Sequence, residues 1–196
     1  MNMRWTWVQG NGGPLLLLSK NHSCEWQGSD PPSNGRVVEA IFRWDGPGSI
    51  ATDYDRACDV EGYINVIKVG QSDAVVLGEG DYRTTWWSGN LETSGILVRG
   101  IGWDSLEDII EVLNQPDAIP WQDMELRFTV EEPPFVLFDS SEVASDEILG
   151  DSIEVPLSCG AYRIKTAFYS PHPKLSLILH RFVTEDEKAS SRFISD

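Results

Sequence analysis

Short apolar runs set between turn-forming residues dominate the chain, and most of them predict strands. Pro14-Leu-Leu-Leu-Leu18 follows Gly12-Gly13 and predicts a strand entered through a turn. Tyr63-Ile-Asn-Val-Ile-Lys-Val69 alternates well enough for a half-buried strand, and Ala74-Val-Val-Leu77 is bracketed by the breakers Gly70 and Gly78. Tyr82–Trp87 and Gly95–Arg99 are rich in β-branched and aromatic residues, with the turn-like Ser88-Gly-Asn90 between them, which predicts a hairpin. One segment breaks the period. Leu106, Ile109, Ile110 and Leu113 follow the i, i+3, i+4, i+7 spacing of a single helical face. Asp104 or Ser105 can cap that helix, acids at 107 and 108 suit its positive end, and Pro116 stops it.

The C-terminal part echoes the N-terminal part. Pro14–Ser19 has a counterpart in Pro134–Ser140, Ile64-Asn-Val66 in Ile153-Glu-Val155, Gly80–Arg83 in Gly160–Arg163, and Ile96–Arg99 in Ile178–Arg181. The four matches occur in the same order, as expected of a duplicated β-rich unit. The fold class that follows is mainly β (α+β), with two related antiparallel units joined by one short helix near 105–115. They form either two lobes or one sheet system with pseudo-two-fold symmetry. In domain terms, 1–103 is a β-rich lobe with an inserted loop at 29–50, 104–123 helix and linker, 124–184 a second β-rich lobe, and 185–196 a polar tail.

Charge sharpens this outline. The 196 residues carry 15 Lys+Arg and 31 Asp+Glu, a formal net charge of −16. Residues 104–154 hold 15 of the acids and one base, Arg127. Such acidity argues against binding nucleic acid, whose phosphates need Lys and Arg, and favours a basic partner. No apolar run is longer than Leu15–Leu18, far short of a membrane span or a signal peptide's apolar region, so a cytoplasmic location is expected and no membrane association.

Enzyme signatures are missing: no G-x-S-x-G elbow, H-E-x-x-H, P-loop or G-x-G-x-x-G occurs. The histidines are scattered, and Cys24, Cys58 and Cys159 form no CxxC, so no metal site or cofactor is expected and the cysteines read as reduced, buried thiols. Asp53-Tyr-Asp55-Arg56 is the one compact polar cluster. It reads as a turn in which an Asp bonds backbone N–H groups and Arg56 pairs with a carboxylate; the alternative is a two-carboxylate hydrolase or lyase site. Eight tryptophans are many for this length. Most fit a core of large residues, but adjacent Trp86 and Trp87 must face opposite sides of a strand. One of them is therefore the candidate for an exposed contact.

Several of these segments together resemble the immunity protein 21 family: Trp7-Val8, Gly12-Gly-Pro-Leu-Leu16, Trp26-x-Gly28, Asp53-Tyr-Asp-Arg-Ala-Cys58, Gly62-Tyr63, Val69-Gly70, Ala74-Val-Val-Leu-Gly78 and Leu97-Val-Arg99. The likeness covers about the first hundred residues. Two departures stand out: Glu79-Gly-Asp81 lacks the acidic-Pro step that members tend to carry after Val-Leu-Gly, and residues 29–50 look inserted. The resemblance implies a bacterial protein, not an enzyme, that binds and neutralises the C-terminal domain of a cognate polymorphic toxin. A toxin with a basic cleft, such as a nuclease or a nucleotide-using enzyme, would suit the charge.

The carboxylates expected to face it, on local density, are Glu107, Asp108 and Glu111, then Asp117 and Asp123, then Glu142, Asp146 and Glu147, with Trp86 and Trp87 as aromatic contacts. The alternative function is a β-rich carbohydrate- or ligand-binding module using an exposed tryptophan.

Overall fold

The computed structural model describes residues 5–11, 13–30, 50–88, 95–144 and 152–185. Its strands are β1 (Leu15–Ser19), β2 (Asn65–Val69), β3 (Ser72–Leu77), β4 (Arg83–Trp87), β5 (Gly95–Trp103), β6 (Gln122–Val130), β7 (Phe135–Asp139), β8 (Ile153–Val155), β9 (Gly160–His172) and β10 (Leu175–Thr184). Helix α1 (Asp53–Cys58) lies between β1 and β2, and α2 (Leu106–Leu113) follows β5. The strands form two antiparallel five-stranded sheets, ordered β2-β3-β1-β7-β8 and β4-β5-β10-β9-β6. The expected mainly β class is what the chain adopts.

Each sheet is covered on both faces, which explains why its central strands are continuously apolar instead of alternating. Leu15 and Leu17 of β1 meet Phe135 and Leu137 of β7, and Leu97, Phe128, Tyr162 and Phe182 of the other sheet, in the core between the sheets. Leu16 and Leu18 point the other way, under Trp26 and Ala57 of the α1 layer. On the far side of the second sheet, Ile96, Val98, Leu177 and Leu179 are covered by Ile109 and Leu113 of α2. The order is helix, sheet, sheet, helix.

Both helices start where the side chains dictate. Thr52 and Asp55 form a reciprocal capping box at α1. At α2 the Ser105 side chain accepts from the Asp108 backbone N–H at 3.3 Å, so Ser105, not Asp104, is the cap. Of the expected apolar face, Ile109 and Leu113 are fully buried while Leu106 and Ile110 are half-buried.

The repeat is real, but two of its four matches shift. β3-β1-β7-β8 and β4-β5-β10-β9 each read the same from either end once β1 is exchanged for β7, β3 for β8, β4 for β9 and β5 for β10. Strands β2 and β6 are edge additions outside this symmetry. The halves therefore interlock in both sheets as one sheet system. β8 lies beside β7 as β3 lies beside β1, so the counterpart of Ile153–Val155 is Val75–Leu77 and not Ile64–Val66. The match of Ile96–Arg99 with Ile178–Arg181 is out of step by one residue. Pairing puts Leu97 opposite His180, whereas Arg181 lies opposite Ile96, whose side chain points to the α2 layer. A one-residue slip along a strand exchanges its faces, so apolar identity alone misplaced the register.

Expectations for the 31–49 part of the insertion, for the 89–90 part of the hairpin turn and for the tail from 186 fall outside the described residues.

Candidate functional site

The carboxylates singled out by density divide among several parts of the surface. Glu107 and Glu111 on α2 are exposed and Asp108 is half-buried, and none of the three has an ion-pair partner among the described residues. Asp117 is exposed in the 3-10 turn that follows α2. Asp123 on β6 is exposed but paired with Arg163 of β9. Glu142 is half-buried beyond the opposite sheet, where its carbonyl lies 2.6 Å from the place a Cβ on Gly28 would take. Glu142 therefore stands apart from α2, with both sheets between them. Asp146 and Glu147 lie outside the described residues.

A groove of about 260 Å³ runs between α2 and the β9–β10 hairpin. Asp108 and Glu111 line one side, and Tyr169, Pro171 and His172 line the other. Aromatic and apolar surface thus sits next to two carboxylates, a combination suited to a partner that brings both a basic and an apolar group. In the turn between β9 and β10, Lys174 pairs with Asp104 at 3.1 Å.

The tryptophan pair is turned inward. Trp87 is buried in the layer beneath α2, and Trp86 is half-buried against the core between the sheets, edge-on to Phe182 at 5.7 Å. No tryptophan is exposed among the described residues. The N-terminal segment covers this edge of the second sheet: Val8 bridges to Thr84, and Trp5, Trp7 and Trp103 stack in a row.

The cysteines are free, as expected, but not buried. Cys24 and Cys159 are exposed and Cys58 is half-buried. None lies within a strand that both sheets and their covering layers enclose.

Asp53 and Asp55 belong to α1 rather than to a turn. The Asp53 carboxylate accepts from the Gln27 backbone N–H at 2.9 Å. Asp55 accepts from the backbone N–H and hydroxyl of Thr52 at 2.7 and 2.8 Å. Both are buried, and both bond backbone N–H groups, as the turn reading expected, but as parts of a capped helix. Arg56 lies over the Trp26 ring and donates to the Lys68 carbonyl at 2.8 Å. No group of three His, Cys, Asp or Glu side chains that could hold a metal ion occurs among the described residues.

What the sequence did not single out as a site is a second cavity, of about 330 Å³, between Gly13-Pro14, α1 and the Gly78–Asp81 turn. Gly13-Pro14, the Asp53–Cys58 helix and Gly78, at the end of the Ala74–Gly78 run, meet there. Each had been legible separately; only folding shows their meeting point. Gly13 is required by the Tyr54 ring, since a Cβ would lie 2.2 Å from its hydroxyl. Burial, then the bonded Cys58, raises the Tyr54 phenol, and burial raises the Cys58 thiol, so both remain neutral at pH 7.

The turn on the cavity's rim is held from inside by Arg99. Its guanidinium, 1% exposed, donates to the carbonyls of Tyr63 and Gly78 at 2.8 Å each and of Gly80 at 3.2 Å, and lies over the Tyr82 ring. Burial lowers its pKa to about 10, still well above neutrality, so it is a buried cation stabilised by carbonyl dipoles.

Residues 6–175 match the family model described as immunity protein 21. The chain belongs to the immunity protein 21 family. No curated protein and no solved structure matches it. In this immunity protein the match spans all of β1 to β9 and both helices, well beyond the first hundred residues in which the motifs were read. No helix among its described residues is long and apolar enough to cross a membrane.

Proposed function

We propose that this chain binds and neutralises a cognate toxin domain, and that the α2 face of the second sheet leads the encounter. Family membership supports a toxin as the partner. The finer reading rests on one observation: Asp108 and Glu111, with Glu107 on the same helix, have no ion-pair partner among the described residues, and the first two line a groove whose other wall carries Tyr169 and Pro171.

Unpaired carboxylates on a chain of net charge −16 generate a field that draws in a basic surface and speeds association. The groove beside them supplies apolar area that water leaves on docking, which slows dissociation. A toxin cleft built to hold a nucleic acid or a nucleotide is basic, and such a toxin is the partner this face fits. Inhibition is by occlusion, with no chemical step.

Co-expression with the toxin domain encoded beside it tests the reading. Rescue of growth and co-purification of the two chains are expected. Unrelieved toxicity in cells that accumulate the folded chain would overturn it.

A further inference from the structure

The cavity between Gly13-Pro14, α1 and the Gly78–Asp81 turn is separate from the α2 groove, and the proposed encounter does not use it. Its walls and its mouth differ in chemistry. Pro14, Ala57, Val60 and the Tyr54 ring supply apolar surface, and Glu79 and Asp81 stand exposed at the turn, while none of the described residues that line it is basic. Tyr54 and Cys58 add neutral hydrogen-bonding groups.

We propose that this cavity is a receptor for one long basic side chain carried by the toxin. An apolar sleeve with carboxylates at one end matches such a side chain part by part. Its methylene stem leaves water against Pro14 and Tyr54, and its charged head reaches Glu79 and Asp81. The volume, about 330 Å³, suits one side chain and its backbone.

The rim is preorganised. Glu79 has a φ of 43° and Gly80 one of 100°, a bend that Arg99 holds by binding the carbonyls on either side of Glu79. Little ordering of the turn is left for binding to pay for. The occupant's identity as a toxin residue rests on the immunity reading; its chemistry rests on the cavity alone.

N-acetyl-arginine amide, titrated into the intact protein and followed by NMR, tests the assignment. Its shifts should cluster on Gly13, Tyr54, Cys58 and Gly80. Affinity should fall about tenfold in Glu79→Gln with Asp81→Asn. Glu131→Gln with Glu154→Gln, which removes as much charge elsewhere, should leave affinity unchanged. Cys58→Met, which fills the cavity without changing charge, should abolish the clustered shifts. Shifts scattered over the acidic surface, or equal affinity in the two double variants, would reduce the binding to counterion attraction and overturn the proposal. Failed toxin protection with the probe still seated would remove the immunity reading and leave the cavity's chemistry standing.

Discussion

Leu17 of β1 lies directly opposite Leu137 of β7, and each is the other's counterpart in the repeat. In the second sheet the same relation joins Leu97 of β5 to His180 of β10. An axis through these two pairs exchanges the halves of the molecule, so the centre of each sheet is a contact between a residue and its own equivalent. This arrangement fits a duplicated unit, and His180 opposite Leu97 is where the two copies differ in kind.

Because Leu17 and Leu137 are both fully buried in one core, their truncations should cost alike and should couple. Leu17→Ala and Leu137→Ala are each expected to lose about 2–5 kcal/mol in denaturant unfolding. The double variant should depart from additivity by roughly 0.5–3 kcal/mol, because the two side chains share one space. Simple additivity would mean that they do not touch.

Arg99 carries a charge into the core, where three carbonyls and the Tyr82 ring receive it. Arg99→Met should cost about 2–4 kcal/mol, because the Tyr63, Gly78 and Gly80 carbonyls lose a donor. The loss should be concentrated at the β3–β4 turn, where amide hydrogen exchange at 79–82 should accelerate most. Uniform acceleration across both sheets would assign Arg99 to general packing.

His180 is fully buried, and burial, then the charge of Arg99, holds its pKa well below the ordinary value; its Nδ1 meets the Thr166 hydroxyl at 2.9 Å. Folding therefore keeps it neutral while the unfolded chain protonates near pH 6.5. The unfolded state then binds more protons, so stability is full above about pH 6.5 and falls as pH drops through that value towards the folded pKa. His180→Gln, which does not titrate, should flatten the part of the stability curve between about pH 5 and 7. A wild-type curve without slope there would contradict neutral burial.

The α2 face makes a kinetic prediction. Glu107→Lys, Asp108→Lys and Glu111→Lys together should slow association with a basic toxin by about 10- to 100-fold at low salt, with little change in dissociation. High salt should shrink the difference. Association rates that stay flat across the triple change would exclude this helix from the encounter.

The class of fold, the strands of the first half, the one amphipathic helix, and the existence of a repeat follow from the sequence. Apolar periodicity and turn chemistry act over a few residues and so can be read directly. Strand partners cannot be. Whether Ile153–Val155 takes the place of β2 or β3, and whether Leu97 answers to His180 or to Leu179, depends on which faces two sheets bury together. Similar apolar triplets do not encode that choice.

The candidate site divides in the same way. Density along the chain marked the α2 carboxylates, but it grouped them with Glu142, which folding places beyond the other sheet. It also suggested an exposed tryptophan where packing has turned both Trp86 and Trp87 inward. Gly13, Tyr54, Cys58 and Glu79 were visible only as separate turns and motifs. Their common cavity comes from long-range packing, in which Arg99, 20 residues beyond Glu79 in the chain, reaches through the core to hold its rim.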